Sequence, residues 1–74
     1  MNASLKVQMR PTPGSLVRVL GLAERRGFGL VSIHAEKASD QLTIFLTVKS
    51  RRPLSLFLGQ LGKLYDVQQV EVLS

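Results

Sequence analysis

A single histidine, His34, and five acids, Glu24, Glu36, Asp40, Asp66 and Glu71, are the side chains that could move a proton or hold a metal ion. The acids fall in separate stretches, with no pair spaced so that two carboxylates share one reaction. One imidazole does not make a metal site. The chain has no cysteine, which removes disulfides, thiolate ligands and thiol nucleophiles. These residues predict no catalytic set, no metal site and a role that is not enzymatic. His34 itself is expected on a strand, on the face opposite Val31 and Ile33, as a partly exposed surface residue.

Anion binding is the next chemistry to weigh. Ten basic residues against five acids give a net charge of +5, which suits nucleic acid or an acidic patch on another protein equally well. The cations are spread along the chain and cluster only at Arg25-Arg26 and Lys49-Arg51-Arg52. The stretch Met9-Arg10-Pro11-Thr12-Pro13-Gly14 lacks the phosphate-cradling loop of acylphosphatases, and its two prolines remove backbone donors that a phosphate would need. Arg26-Gly27-Phe28-Gly29-Leu30-Val31-Ser32-Ile33 resembles the longer signature of RNA-recognition motifs. Leu30 and Ile33, however, occupy the places where that family stacks bases, and the segment ends a helix instead of lying on the third strand. An RNA-binding module is the alternative reading, and no nucleic acid is expected as the partner.

The elements that position these residues follow from hydrophobic spacing. Leu5, Val7 and Met9 alternate with Lys6, Gln8 and Arg10, the period of a strand with one buried face. Thr12-Pro13 supplies a capping hydroxyl and a proline suited to a first helical turn. Leu16, Val19, Leu20 and Ala23 then fall on one helical face, with Arg18, Glu24 and Arg25 off it, until Gly27 stops the helix. Gly21 inside that helix costs about 1 kcal/mol relative to alanine, so either it is tolerated or a neighbouring backbone comes close. Leu30 to Lys37 and Gln41 to Lys49 read as a hairpin turning at Ala38-Ser39-Asp40, with Leu42, Ile44, Leu46 and Val48 on one face and Thr43, Phe45 and Thr47 on the other. Pro53 opens a second helix whose face is Leu54, Phe57, Leu58, Leu61 and Leu64, and a last strand runs from Asp66 to Leu73.

Strand, helix, strand, strand, helix, strand with right-handed crossovers predicts an α+β, ferredoxin-like βαββαβ fold, a four-stranded antiparallel sheet with two helices on one face. No linker interrupts residues 1–74, which read as one domain. A hydrophobic fraction of 45% is high for so short a chain, and it points to apolar surface meant for a neighbour. The opening residues carry no apolar run of signal-sequence length, and a cytoplasmic location is expected.

Two further runs carry a family likeness. Gly14-Ser15-Leu16-Val17-Arg18-Val19-Leu20-Gly21-Leu22, followed by Arg26-Gly27-Phe28, resembles the Gly-x-Leu-x-Arg-Val-x-Gly-Leu and Arg-Gly-Tyr/Phe run of the ACT domain in small regulatory subunits of acetohydroxyacid (acetolactate) synthase. Gln60-Leu61-Gly62-Lys63-Leu64-Tyr65-Asp66-Val67 is similar to that family's Gln-Leu-x-Lys-Leu-x-Asp-Val segment. The two runs lie in the family's order, and the short length resembles the isozyme II type.

The resemblance implies a non-catalytic regulatory subunit of branched-chain amino acid biosynthesis that forms a homodimer and activates a catalytic subunit. Thiamine diphosphate, magnesium and FAD would sit on that catalytic partner, and this chain would bind none of them. It implies a dimer edge on the second strand, at Leu30, Val31, Ser32, Ile33 and His34. A branched-chain amino acid effector would lie at the dimer interface, between the loop after the first strand and the neighbouring chain, with Thr12, Pro13, Gly14, Ser15, Leu16, Gly29 and Leu30 as the candidate residues. Pro11 and Gly29 stand where the family usually has asparagines, so two amides that could hold the effector are missing, and the isozyme II type is valine-insensitive. Surfaces for the catalytic subunit would be the sheet face with Lys6, Gln8, Thr43 and Phe45, or the basic edge at Arg51-Arg52. A free-standing amino-acid sensor with another client is the remaining alternative.

Overall fold

The computed structural model describes residues 2–74; Met1, the first residue of the predicted domain, lies outside them. Six elements run in the order β1 (Asn2–Met9), α1 (Ser15–Arg25), β2 (Gly29–Ala38), β3 (Gln41–Lys49), α2 (Leu54–Leu61) and β4 (Val67–Val72). The strands form one antiparallel sheet in the order β2-β3-β1-β4. This is the ferredoxin-like βαββαβ arrangement.

The period-two pattern does its predicted work in the two central strands. Ala3, Leu5, Val7 and Met9 of β1 and Leu42, Ile44, Leu46 and Val48 of β3 are buried on the helix-covered face. Val19, Leu22 and Ala23 of α1 and Phe57 and Leu61 of α2 complete a single core cluster with Phe28. Phe28 and Phe57 stack, with ring centroids 5.1 Å apart and an interplanar angle of 22°. The aromatic after the first helix therefore joins the two helices through the core. Among the described residues none of the fully buried apolar side chains comes from β2 or β4; Val67 and Val70 of β4 still pack partly buried against the core, whereas β2 is exposed along its length.

Helix boundaries differ from the sequence reading in instructive ways. Thr12 and Pro13 do not start α1. Gly14, at φ 77°, is the residue before its first turn, and no side chain caps that end. The Thr12 hydroxyl has a stronger partner in a buried carboxylate, described below. Pro53 likewise precedes α2 instead of opening it. Gly27, at φ 82°, ends α1 as expected, with Phe28 N–H returning to the Ala23 carbonyl at 2.8 Å. A Cβ at Gly21 would meet only the Arg25 guanidinium, at 3.1 Å. No backbone approaches Gly21, and it is tolerated, not required.

In β2 the pairing with β3 shifts between Leu30 and Ser32, so Val31 is an extra residue in the ladder. Leu30 pairs with Val48 and Ile33 with Leu46, which puts both on the helix side, while Ser32 and His34 pair with Thr47 and Phe45 on the open face. Val31 therefore does not share a face with Ile33 by simple alternation, as the sequence reading had it.

Candidate functional site

The sharpest local chemistry lies where the β1–α1 loop meets the turn between α2 and β4. Asp66 precedes β4, and its side chain is entirely buried. Its Oδ2 accepts a hydrogen bond from the Thr12 hydroxyl at 2.9 Å and an ion-paired bond from Arg18 Nη2. Arg18 Nη2 also lies 3.0 Å from the Thr12 hydroxyl oxygen, and its Nη1 donates to the Pro13 carbonyl at 3.1 Å. The same guanidinium lies over the Tyr65 ring, 5.5 Å from its centroid. Arg10 closes the seam: its backbone N–H donates to the Asp66 carbonyl at 2.9 Å and its side chain to the Tyr65 carbonyl at 3.2 Å.

Burial by itself would raise the Asp66 carboxyl, but the hydrogen bonds from Arg18 and Thr12 outweigh it and hold the group below the usual carboxylate range. The hydrogen bond to Asp66 raises Arg18 in turn. Both groups stay charged at neutral pH. The loop from Arg10 to Gly14 is thus held from both sides, by an ion pair and by backbone bonds.

This clamp uses up donors of the expected effector site. Ser15 is buried and its N–H is spent on the Thr12 carbonyl at 3.0 Å, while Thr12 and Pro13 are committed to Asp66 and Arg18. Within one chain the seven expected residues do not meet. Thr12, Pro13, Gly14, Ser15 and Leu16 lie at the end of the sheet where β1 finishes, and Gly29 and Leu30 lie at the opposite end, where β2 begins. Antiparallel apposition of two β2 strands would bring one chain's loop toward the other's Gly29.

The expected dimer edge is an open one. All ten residues of β2 are exposed, and Leu30, Val31 and Ile33 are 39%, 55% and 37% exposed on the border of the sheet. His34, its side chain 68% exposed, lies 3.7 Å from Glu36 and tilts toward Phe45 with centroids 6.4 Å apart. On the open face Lys6 lies over Phe45 at 5.8 Å, and Ser4 and Thr47 share a hydrogen bond of 3.0 Å. Lys6, Gln8, Thr43 and Phe45 are half-buried there. Among the described residues no three His, Asp or Glu side chains converge to hold a metal ion, and no helix is long and apolar enough to cross a membrane.

Sequence reasoning missed the buried Asp66–Arg18–Thr12 cluster. Its signal was present: Arg18 and Asp66 are both fixed positions of the two motif runs, which is unusual for residues read as solvated charges.

Comparison with known proteins fits this geometry. Residues 11–70 match the ACT domain family. The acetolactate synthase isozyme 2 small subunit of Escherichia coli K12 is 39% identical, with 97% of this chain and 85% of that protein covered. Among solved structures, the ACT domain of the GTP pyrophosphokinase of Chlorobium tepidum superposes with a TM-score of 0.86 at 17% identity, covering 99% of this chain and 97% of that one. The acetolactate synthase small subunit of Thermotoga maritima gives a TM-score of 0.85 at 22% identity, covering all of this chain and 48% of that one. The last two likenesses speak to the fold alone. The family match and the 39% identity across nearly the whole chain show that it belongs to the ACT-domain family, among the small regulatory subunits of acetolactate synthase of the isozyme II type.

Proposed function

We propose that this chain is a non-catalytic regulatory subunit that pairs with itself along β2 and activates the catalytic subunit of an acetolactate synthase in the cytoplasm. Thiamine diphosphate, magnesium and FAD belong to the catalytic partner in this reading. The observation that carries it is the ten-residue β2 strand, exposed along its whole length and lined by Leu30, Val31 and Ile33. Edge strands in solitary domains are short, charged or covered, because bare backbone groups recruit other chains. Pairing two such edges antiparallel would satisfy both, extend the sheet and give Leu30 and Ile33 cover on the helix side. Activation then follows if the paired domains bind the active form of the catalytic subunit better than its inactive form.

Mixing the purified chain with the catalytic subunit and measuring acetolactate formation tests the role. An increase in rate that saturates with added chain supports it, and an unchanged rate at saturating chain rejects it. Pro11 and Gly29 remove two candidate donors, and the Thr12 and Ser15 N–H groups bond within the loop itself, so the chain acts as an activator without valine feedback in this proposal.

A further inference from the structure

Half of the chain's cations gather at one end of the domain. Arg25 and Arg26 finish α1, Lys49 finishes β3, and Arg51 and Arg52 lead into α2. All five are exposed. Backbone pairing and one serine hold them together: Lys49 pairs with Gly29, the Ser50 hydroxyl donates to the Gly27 carbonyl at 2.9 Å, and Arg52 N–H donates to that hydroxyl at 2.9 Å. Arg52 lies across the bare face of Gly27, its Nε only 3.1 Å from where a Cβ would stand. Arg26 reaches Gln60 of α2 at 3.4 Å.

Among the described residues no acid forms an ion pair with these five cations. The Arg18–Asp66 ion pair and the His34–Glu36 contact both lie elsewhere, and Glu24 is the acid nearest in sequence. Arg25 and Arg26 answer the negative end of the α1 dipole. Arg51 and Arg52 have no such excuse, since they precede the positive end of α2, whose first turn carries no acid. That order is the reverse of the stabilising one. The protein keeps an uncompensated positive field at a fixed place.

We infer that this basic end is the docking surface for an acidic segment of the catalytic subunit, an inference that rests on the activator reading above. The partner is recognised by carboxylate side chains meeting guanidinium groups, which bind them through paired donors. Nucleic acid is the competing polyanion, and the absence of a stacking surface argues against it. Phe28 and Phe57 are buried, Phe45 lies on the open sheet face and the exposed Tyr65 lies beside Arg18 at the opposite end. Single-strand binding draws much of its strength from exposed rings.

The test compares the wild-type chain with the Arg51→Ser/Arg52→Ser double variant and with Arg52→Glu, after circular dichroism has shown all three folded and dimer mass unchanged. Acetolactate formation is titrated with each at low and at moderately high salt. The expected result is a roughly tenfold or greater rise in the concentration of variant needed for half-maximal activation. The plateau rate stays the same and the dependence on salt is shallower. Equal half-saturation and equal salt dependence overturn the inference while leaving the activator reading intact. A labelled Glu-rich peptide and a single-stranded RNA of matched charge are titrated onto the chain alone. Saturable peptide binding that the variants lose supports the inference, including in a chain that fails to activate, where the activator reading alone falls. No peptide binding at low salt, or tighter binding of the RNA, overturns it.

Discussion

The guanidinium of Arg18 on α1 grips the carboxylate of Asp66, 48 positions later in the chain, at a point where that carboxylate has no exposure to water. The contact ties the loop after β1 to the turn before β4, and the Thr12 hydroxyl completes it. A buried ion pair is weak evidence of stability in itself, because desolvation offsets much of the attraction, but removing one member leaves the other groups stranded.

Asp66→Ala should therefore destabilise the domain by about 2 kcal/mol, the usual worth of hydrogen bonds to a charged group, seen as a fall in thermal midpoint of about 10 °C for a domain of this size. Chemical denaturation would check the magnitude.

The same carboxylate sets a pH dependence. Its folded-state value lies below the ordinary one, so its contribution is complete above the unfolded carboxylate value of about 4. It is lost as pH falls through the lowered folded value. Wild-type stability measured from neutral pH downward should drop across that acid range more steeply than that of Asp66→Asn.

Two glycines that look alike in the sequence should respond in opposite directions. Gly21→Ala meets only the movable Arg25 guanidinium within α1 and should stabilise by about 0.5–1 kcal/mol. Gly27→Ala forces a side chain into φ 82° and into Arg52, and should destabilise by about 1 kcal/mol or more. Denaturation midpoints of the two variants, measured side by side, decide this.

The extent to which the chain announced its structure varies by element for physical reasons. β1 and β3 were legible because each has one dry and one wet face, so period two appears directly in Leu5, Val7 and Met9 and in Leu42, Ile44, Leu46 and Val48. The helical faces were legible for the same reason. The start of α1 was not, because Thr12 has two competing partners and the winner, Asp66, is remote in sequence. Asp66 itself was hidden because an acid is ordinarily solvated, and only the fold reveals that it is enclosed. Of the expected dimer edge, β2 was legible as a strand. Its standing as an open border depends on strand order, which no local pattern encodes.

Ile33→Lys is predicted to break self-pairing. Ile33 is 37% exposed in the single chain, so a charge there leaves the isolated fold intact but cannot be enclosed by a second β2. Sedimentation should give the mass of two chains for wild type and one for the variant, with unchanged circular dichroism. A wild-type mass of one chain would reject the β2 interface.

Calorimetry with valine should show no saturable heat for the wild-type chain. Introducing the two absent amides, as Pro11→Asn with Gly29→Asn, is expected to create a measurable signal if the loop frees its remaining donors. Saturable heat from the wild type would show that the loop binds the amino acid without them.

The extra residue at Val31 matters beyond its own strand. An uninterrupted border would accept any passing extended peptide, in several alignments, and could grow into ribbons. On the proposed self-pairing, a register shift placed off-centre would make the border selective: the matching contour would be another copy turned about a two-fold axis, with its own shift at the symmetry-related place. A closed couple with a single alignment would then be favoured over a stack, and a local irregularity in one ladder would guard against polymerisation.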